Sequence, residues 1–213
     1  MTRVSLATAV AEASARDPVL AHLAELAGPL TWRPPDPDGH FGFLVRAIVF
    51  QQLAGAAANA IHRRVRATVP GALTAEALAG VGDAELRAAG LSANKLSSLR
   101  DLSAKVLDGT VVFDGTSRLD DDEIVARLSS VRGIGRWTAE MYLMFELRRL
   151  DVWPVDDLGV RQGYGAAWGL DPAPTAKQLG PLGDRFRPYR SIVARYCWAA
   201  VHLLRHGTDP SLR

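Results

Sequence analysis

Apolar residues recur at spacings of three and four along most of the chain, the signature of helices that each bury one face. Residues 1–30 predict one helix with Val4, Leu6, Val10, Val19, Leu20, Leu23 and Leu26 as its stripe, interrupted at Asp17-Pro18. Thr31 to Gly39 is proline-rich and reads as a linker. From Phe41 to Val69 a long helical region carries Phe43, Leu44, Ile48, Val49, Phe50, Leu53 and Ile61, with a candidate break at Gly55. Short helices follow. Thr74 caps one closed by Gly80, Asp83 caps one closed by Gly90, and Ser92 caps a longer one that ends before Gly109. Val111-Val112-Phe113 has an extended pattern but no evident partner strand.

The densest information lies between Leu128 and Val160. Asp120-x-x-Glu123 is an aspartate form of the capping box and starts a helix whose apolar stripe is Ile124, Val125 and Leu128. Arg132-Gly133-Ile134-Gly135 then breaks the periodicity, and a second helix starts near Arg136 with Trp137, Met141, Tyr142, Met144, Phe145 and Leu147 apolar. The product is a helix-hairpin-helix. Its glycines and the first turn of its second helix present amides that no intrahelical carbonyl satisfies, an arrangement suited to a phosphate oxygen. A Gly-x-Gly turn that only joins two helices is the plainer alternative on these residues alone. Gly159 to Gly169 reads as an irregular or short helical segment, Asp171 to Thr175 as a linker whose threonine starts another helix, and about Pro188 to Arg205 as the last long helix, ending before Gly207.

Composition narrows the class. With 48% hydrophobic and 23% charged residues the chain is globular, and no apolar run is long enough to span a bilayer. Its N-terminus lacks the basic and apolar regions of a signal peptide. A net charge of +2 is too small for a whole-molecule field to argue for nucleic acid, so local placement of charge must carry that argument. One cysteine, Cys197, excludes an internal disulfide and a four-cysteine iron–sulfur site. His22, His40, His62, His202 and His206 make no strong ligand motif, although His202 and His206 are four apart on one helix.

G-I-G-R-W-T-A-E-M followed by V-D-D-L-G-V resembles the helix-hairpin-helix DNA glycosylase superfamily, and within it the 3-methyladenine DNA glycosylase II (AlkA-type) branch, over roughly residues 40 to 200. The resemblance implies an all-α fold of two helical subdomains with an active-site cleft between them. A helical barrel over 40–148 would contain the hairpin at 121–147, and 1–35 plus 149–213 would supply the terminal helices. It also implies that the additional β-rich domain of AlkA-type enzymes is absent from this chain. The fold would form a single unit over 1–213.

The implied activity is excision of alkylated bases, 3-methyladenine and its relatives, by base flipping and hydrolysis of the N-glycosidic bond. Asp157 is placed as the catalytic carboxylate. Asp156 is the fallback, otherwise a cap for the following helix. Trp137, Met141, Trp198 and Gln52 are placed at the base pocket. Leu53 is placed as the wedge that fills the vacated stack, with Gln51 or Gln52 touching the opposite strand or lining the pocket. Gly133, Gly135, Arg132, Arg136, Thr138 and Lys95 are placed at the DNA backbone.

Strand-cutting relatives carry a lysine where Trp137 stands, so the resemblance implies a monofunctional enzyme without lyase activity. The chain departs from the pattern twice: Arg132 stands where proline is common, and Met141 where tyrosine is. Damaged DNA, single- or double-stranded, is the implied partner of a monomer acting in the cytoplasm on the nucleoid, with no membrane involved. No cofactor is implied beyond a monovalent cation at the hairpin carbonyls. Two other readings stay open: a catalytically silent helix-hairpin-helix DNA-binding module, and a glycosylase for uracil, mispaired or oxidised bases.

Overall fold

A computed structural model describes residues 4–206, without the side chains of Ser117, Arg205 and His206. Gly207, expected to end the last helix, and the His206 side chain lie outside the described residues. Those described are helical, with no strand among them, so the Val111–Phe113 rung is not a strand. In chain order the helices are α1 (Leu6–Ser14), α2 (Pro18–Ala27), α3 (Gly39–Phe50), α4 (Gly55–Thr68), α5 (Ala75–Gly80) and α6 (Asp83–Ala88). They continue as α7 (Ala93–Leu107), α8 (Asp121–Ser129), α9 (Arg136–Met141), α10 (Leu158–Ala167), α11 (Ala176–Leu182) and α12 (Arg190–His206).

Local chemistry explains several boundaries. The helix expected over residues 1–30 is two helices, because the residue before a proline is pushed out of the helical region. Asp17 sits at φ −152° and ψ 117° and starts α2 instead, its carboxylate accepting from the amides of Val19 and Leu20. Asp83 was expected as a cap but lies in the first turn of α6, behind Gly82; its carboxylate pairs with Arg100 at 2.6 Å instead. The break after α3 falls at Gln51–Ala54, with Gly55 already the first residue of α4. Glu123 does not close the capping box of α8 with its side chain in the described contacts. Asp120 accepts from the Glu123 amide, while the Glu123 carboxylate pairs with Arg127. The second hairpin helix is not one continuous α-helix: after Met141 it widens into a π-turn over Tyr142–Glu146. The expected irregular stretch at Gly159–Gly169 is the regular helix α10, and its packing explains why.

The chain divides into two compact units, the break falling after Arg33 and again before Arg148. Pro34–Leu147 forms one unit, with Leu44, Ile48, Leu78, Leu86, Leu99 and Leu102 fully buried. The other is built from α1, α2 and α10–α12, and its tightest contact is α10 against α12. A Cβ placed on Gly163 would stand 1.9 Å from the carbonyl oxygen of Cys197, so only glycine lets these two backbones meet. Gly159 is crowded in the same way by Trp198, 2.8 Å from its ideal Cβ position. Asp17, buried at the start of α2, accepts from the Trp168 indole at 3.2 Å and pairs with Arg185 at 3.0 Å, tying the first helices to the last third of the chain. Trp168 stacks on Tyr164 at 4.2 Å, and Tyr142 is buried in the other unit, so both are structural aromatics.

Gly163→Ala forces the α10–α12 backbones apart and destabilises the protein by about 3 kcal/mol. Gly180→Ala meets nothing within 4 Å and serves as the control; it leaves stability unchanged or raises it by up to about 1 kcal/mol. Urea unfolding of the two variants checks this.

Candidate active site

The loop after the second hairpin helix is fixed before it reaches Asp157. Asp151 pairs with Arg190 at 2.7 Å and Arg187 at 3.1 Å, and the Val152 amide donates to Ser191 Oγ at 2.9 Å. The buried Trp153 indole donates to the Leu179 carbonyl at 3.0 Å. Asp157 therefore emerges at the N-terminus of α10 from a backbone with little freedom. Its Oδ1 caps the helix, accepting from the Val160 amide at 2.7 Å, and also accepts from the Trp198 indole at 2.9 Å. The residue is only 9% exposed. The two donors fix the carboxylate in one orientation at the head of the helix. Asp156, the fallback, is exposed and does not cap α10; Asp157 does. Trp198 is half-buried one residue from Cys197, whose thiol burial and the Asp157 charge push far up, leaving it inert.

The hairpin lies in the Pro34–Leu147 unit. Gly133 adopts φ +79°, and a Cβ there would lie 2.5 Å from Ser98 Oγ on α7. The Arg132 amide donates to Asp101 Oδ2 at 2.6 Å, and Lys105 Nζ binds both the Asp101 carboxylate and the Ser130 carbonyl. The Arg132 amide foremost, then Lys105, holds the Asp101 carboxyl below its ordinary value. Gly135 is the N-cap of α9 and makes no side-chain cap bond, and a helix N-terminus is a place that suits an anion.

Around this turn the expected residues fall out unevenly. Arg132 is exposed, and Arg136 is exposed with longer ion pairs of 3.5 Å to Asp122 and Glu140. Thr138 is buried in α9, which removes its hydroxyl from the surface expected for a backbone contact. Lys95, half-buried, donates from Nζ to the Val49 carbonyl at 2.6 Å, an internal contact that leaves two of its three ammonium donors. Burial lowers its pKa. Gln52 lines an open cavity of about 390 Å³ with Gln51, Lys95, Arg132 and Gly133. Trp137 is 45% exposed on α9, whereas Met141, one turn on, is buried. Leu53 is 38% exposed in the turn between α3 and α4.

The structure thus joins Asp157 to Trp198 in one unit and Gln52 to the hairpin in the other. Sequence reasoning missed Asp101 and the indole bond to Asp157, whose partners lie 31 and 41 residues away with no local pattern to signal them. Of the hairpin carbonyls, Ser130 O, Val131 O and Gly133 O already accept from Lys105, the Ile134 amide and Gln51.

Residues 45–183 match the model of the HhH-GPD superfamily base excision DNA repair proteins, and the chain belongs to that superfamily. It is 36% identical over 163 residues to DNA-3-methyladenine glycosylase 1 of Schizosaccharomyces pombe, covering 75% of this chain and 72% of that protein. Among solved structures, a DNA-3-methyladenine glycosidase from Bacillus halodurans superimposes with a TM-score of 0.84 at 35% identity, covering 93% of this chain and 91% of that one. The S. pombe 3-methyladenine DNA glycosylase Mag1 in complex with abasic DNA gives a TM-score of 0.77 at 33% identity, over 89% of this chain and 94% of that one.

Trp198→Phe keeps a ring but removes the donor to a charged acceptor. Thermal unfolding registers a loss of about 2 kcal/mol.

Proposed function

We propose that this protein is a monofunctional DNA glycosylase that excises alkylated bases, 3-methyladenine among them, and leaves an abasic site. The observation that carries the reading is the Asp157 carboxylate, buried, fixed at the head of α10 and held by the Trp198 indole. The names of its relatives, DNA-3-methyladenine glycosylase and glycosidase, support the substrate class.

Breaking the N-glycosidic bond builds positive charge on the sugar, as in glycoside hydrolysis. A preorganised carboxylate stabilises that charge and orients the attacking water. A carboxylate accepts about four hydrogen bonds, so being positioned by an amide and an indole leaves its charge available to the reaction. No strong general acid is needed, because an alkylated purine already carries positive charge and leaves readily. Electron-rich indole faces favour such a base by about 1–2 kcal/mol each. The duplex hides the bond, so the nucleotide is first swung out at a cost of a few kcal/mol.

Water is the nucleophile because position 137 holds a tryptophan, which cannot form the Schiff base on which strand cleavage depends. The hairpin grips the phosphate backbone through the amides of Gly135 and the first turn of α9, with Arg132 and Arg136 adding charge.

Asp157→Asn retains an oxygen for the Val160 amide and the Trp198 indole, so it folds and binds DNA. Its release of free base from alkylated duplexes falls by about 10³-fold or more. Wild-type release by this variant excludes the catalytic role of Asp157. Abasic strands produced by the parent protein break only after alkali treatment; scission without alkali rules out the monofunctional reading. Gly135→Asp places a negative charge at the proposed phosphate position where its Cβ meets nothing within 4 Å. DNA affinity falls, and the salt dependence of log K becomes shallower by about 1.

A further inference from the structure

The turn between α3 and α4 is held in an unusual way. Gln52 adopts φ +56°, a left-handed conformation that is unfavourable for a non-glycine residue and persists only where its surroundings enforce it. The turn's own backbone bonds are long, 3.4 Å from the Gln51 amide to the Ile48 carbonyl and 3.4 Å from the Leu53 amide to the Phe50 carbonyl. Residues 52–57 are exposed, so burial contributes little to fixing the turn.

Two side chains supply what the turn lacks. Lys95 Nζ donates to the Val49 carbonyl at 2.6 Å, next to the end of α3, where helix carbonyls have no intrahelical donor. Gln51 Nε2 donates to the Gly133 carbonyl at 2.8 Å, in the hairpin itself, 82 residues away. The hairpin rests in turn on α7, through Ser98 against Gly133, Asp101 on the Arg132 amide and Lys105 on the Ser130 carbonyl. Lys95 belongs to that same helix. One rigid element therefore sets both the hairpin and the end of α3, and Gln51 closes the circuit between them.

We propose that Gln51 and Lys95 are positioning residues that hold the exposed Leu53 at a fixed offset from the phosphate-gripping hairpin, so that gripping the backbone and filling the vacated stack occur in register. This rests on the reading of Leu53 as a wedge in a base-flipping enzyme. Neither residue touches the reacting atoms. Their effect reaches the reaction through Leu53 alone.

A double-mutant cycle tests it. Gln51→Ala, Leu53→Ala, the double variant and Lys95→Met are compared on one alkylated duplex with 2-aminopurine beside the lesion, whose fluorescence rises when the stack opens. Thermal unfolding confirms that each variant is folded. Leu53→Ala and Gln51→Ala each reduce the fluorescence rise and slow single-turnover base release about tenfold, equivalent to about 1.4 kcal/mol. The double variant is no slower than Leu53→Ala, because Gln51 acts only through that side chain. Lys95→Met, which keeps the stem and loses the donor, behaves as Gln51→Ala does.

If Leu53→Ala is slow but Gln51→Ala matches the parent, or if the two losses multiply, the positioning role is overturned and the wedge stands. If Leu53→Ala opens the stack as well as the parent does, the wedge reading fails and takes this proposal with it.

Discussion

The contact on which the α10–α12 unit depends is the meeting of two helix backbones at Gly163. With a potential Cβ 1.9 Å from the Cys197 carbonyl oxygen, α10 and α12 approach as closely as chains can. Gly159, one turn earlier, lies under the Trp198 indole in the same way. This proximity brings the indole within 2.9 Å of the Asp157 carboxylate. A larger residue at either glycine would lift α10 and separate donor from acceptor. The aspartate also caps α10, so the group proposed for catalysis is part of what keeps its helix in place. Substitutions there bear on fold and chemistry together, which is why the asparagine change, preserving the acceptor, is the informative one.

The other unit solves a different problem: keeping a tight glycine turn rigid. Glycine at φ +79° permits the turn, but permission does not stiffen it. Stiffness comes from α7. Asp101 takes the Arg132 amide, Lys105 neutralises Asp101 and reaches the Ser130 carbonyl, and Ser98 lies against Gly133. An arginine at position 132, where proline is common in the resembled family, retains the amide that makes the Asp101 bond. The rigidity a proline would bring through its ring is supplied here by a hydrogen bond from a neighbouring helix.

Several features were legible along the chain because their causes are local. The hairpin glycines, the Asp120 and Thr175 caps, the helix starting near Arg136 and the helical character of the whole follow from spacing and capping within a few residues. Errors fell where a local signal had two readings or where a distant partner competed. Asp17-Pro18 read as an interruption and is a boundary with its own cap. Asp83 looked like a cap and is drawn to Arg100. Asp156 and Asp157 were adjacent candidates for cap and catalyst, and the pattern could not tell that one residue would serve as cap. Lys95, placed at the DNA backbone from its turn, also donates to a carbonyl 46 residues away that no local pattern signals.

By itself the sequence determined the helical class, the glycine hairpin, the family resemblance and the carboxylate pair, since each is written in residues close enough to interact through periodicity or a cap. Tertiary structure alone decided which aspartate is held, what holds it, and what stiffens the turns. Those outcomes depend on groups 25 to 82 residues apart meeting at hydrogen-bond distance. No short-range pattern encodes such meetings, because they exist only once α10 has packed on α12 and the hairpin on α7.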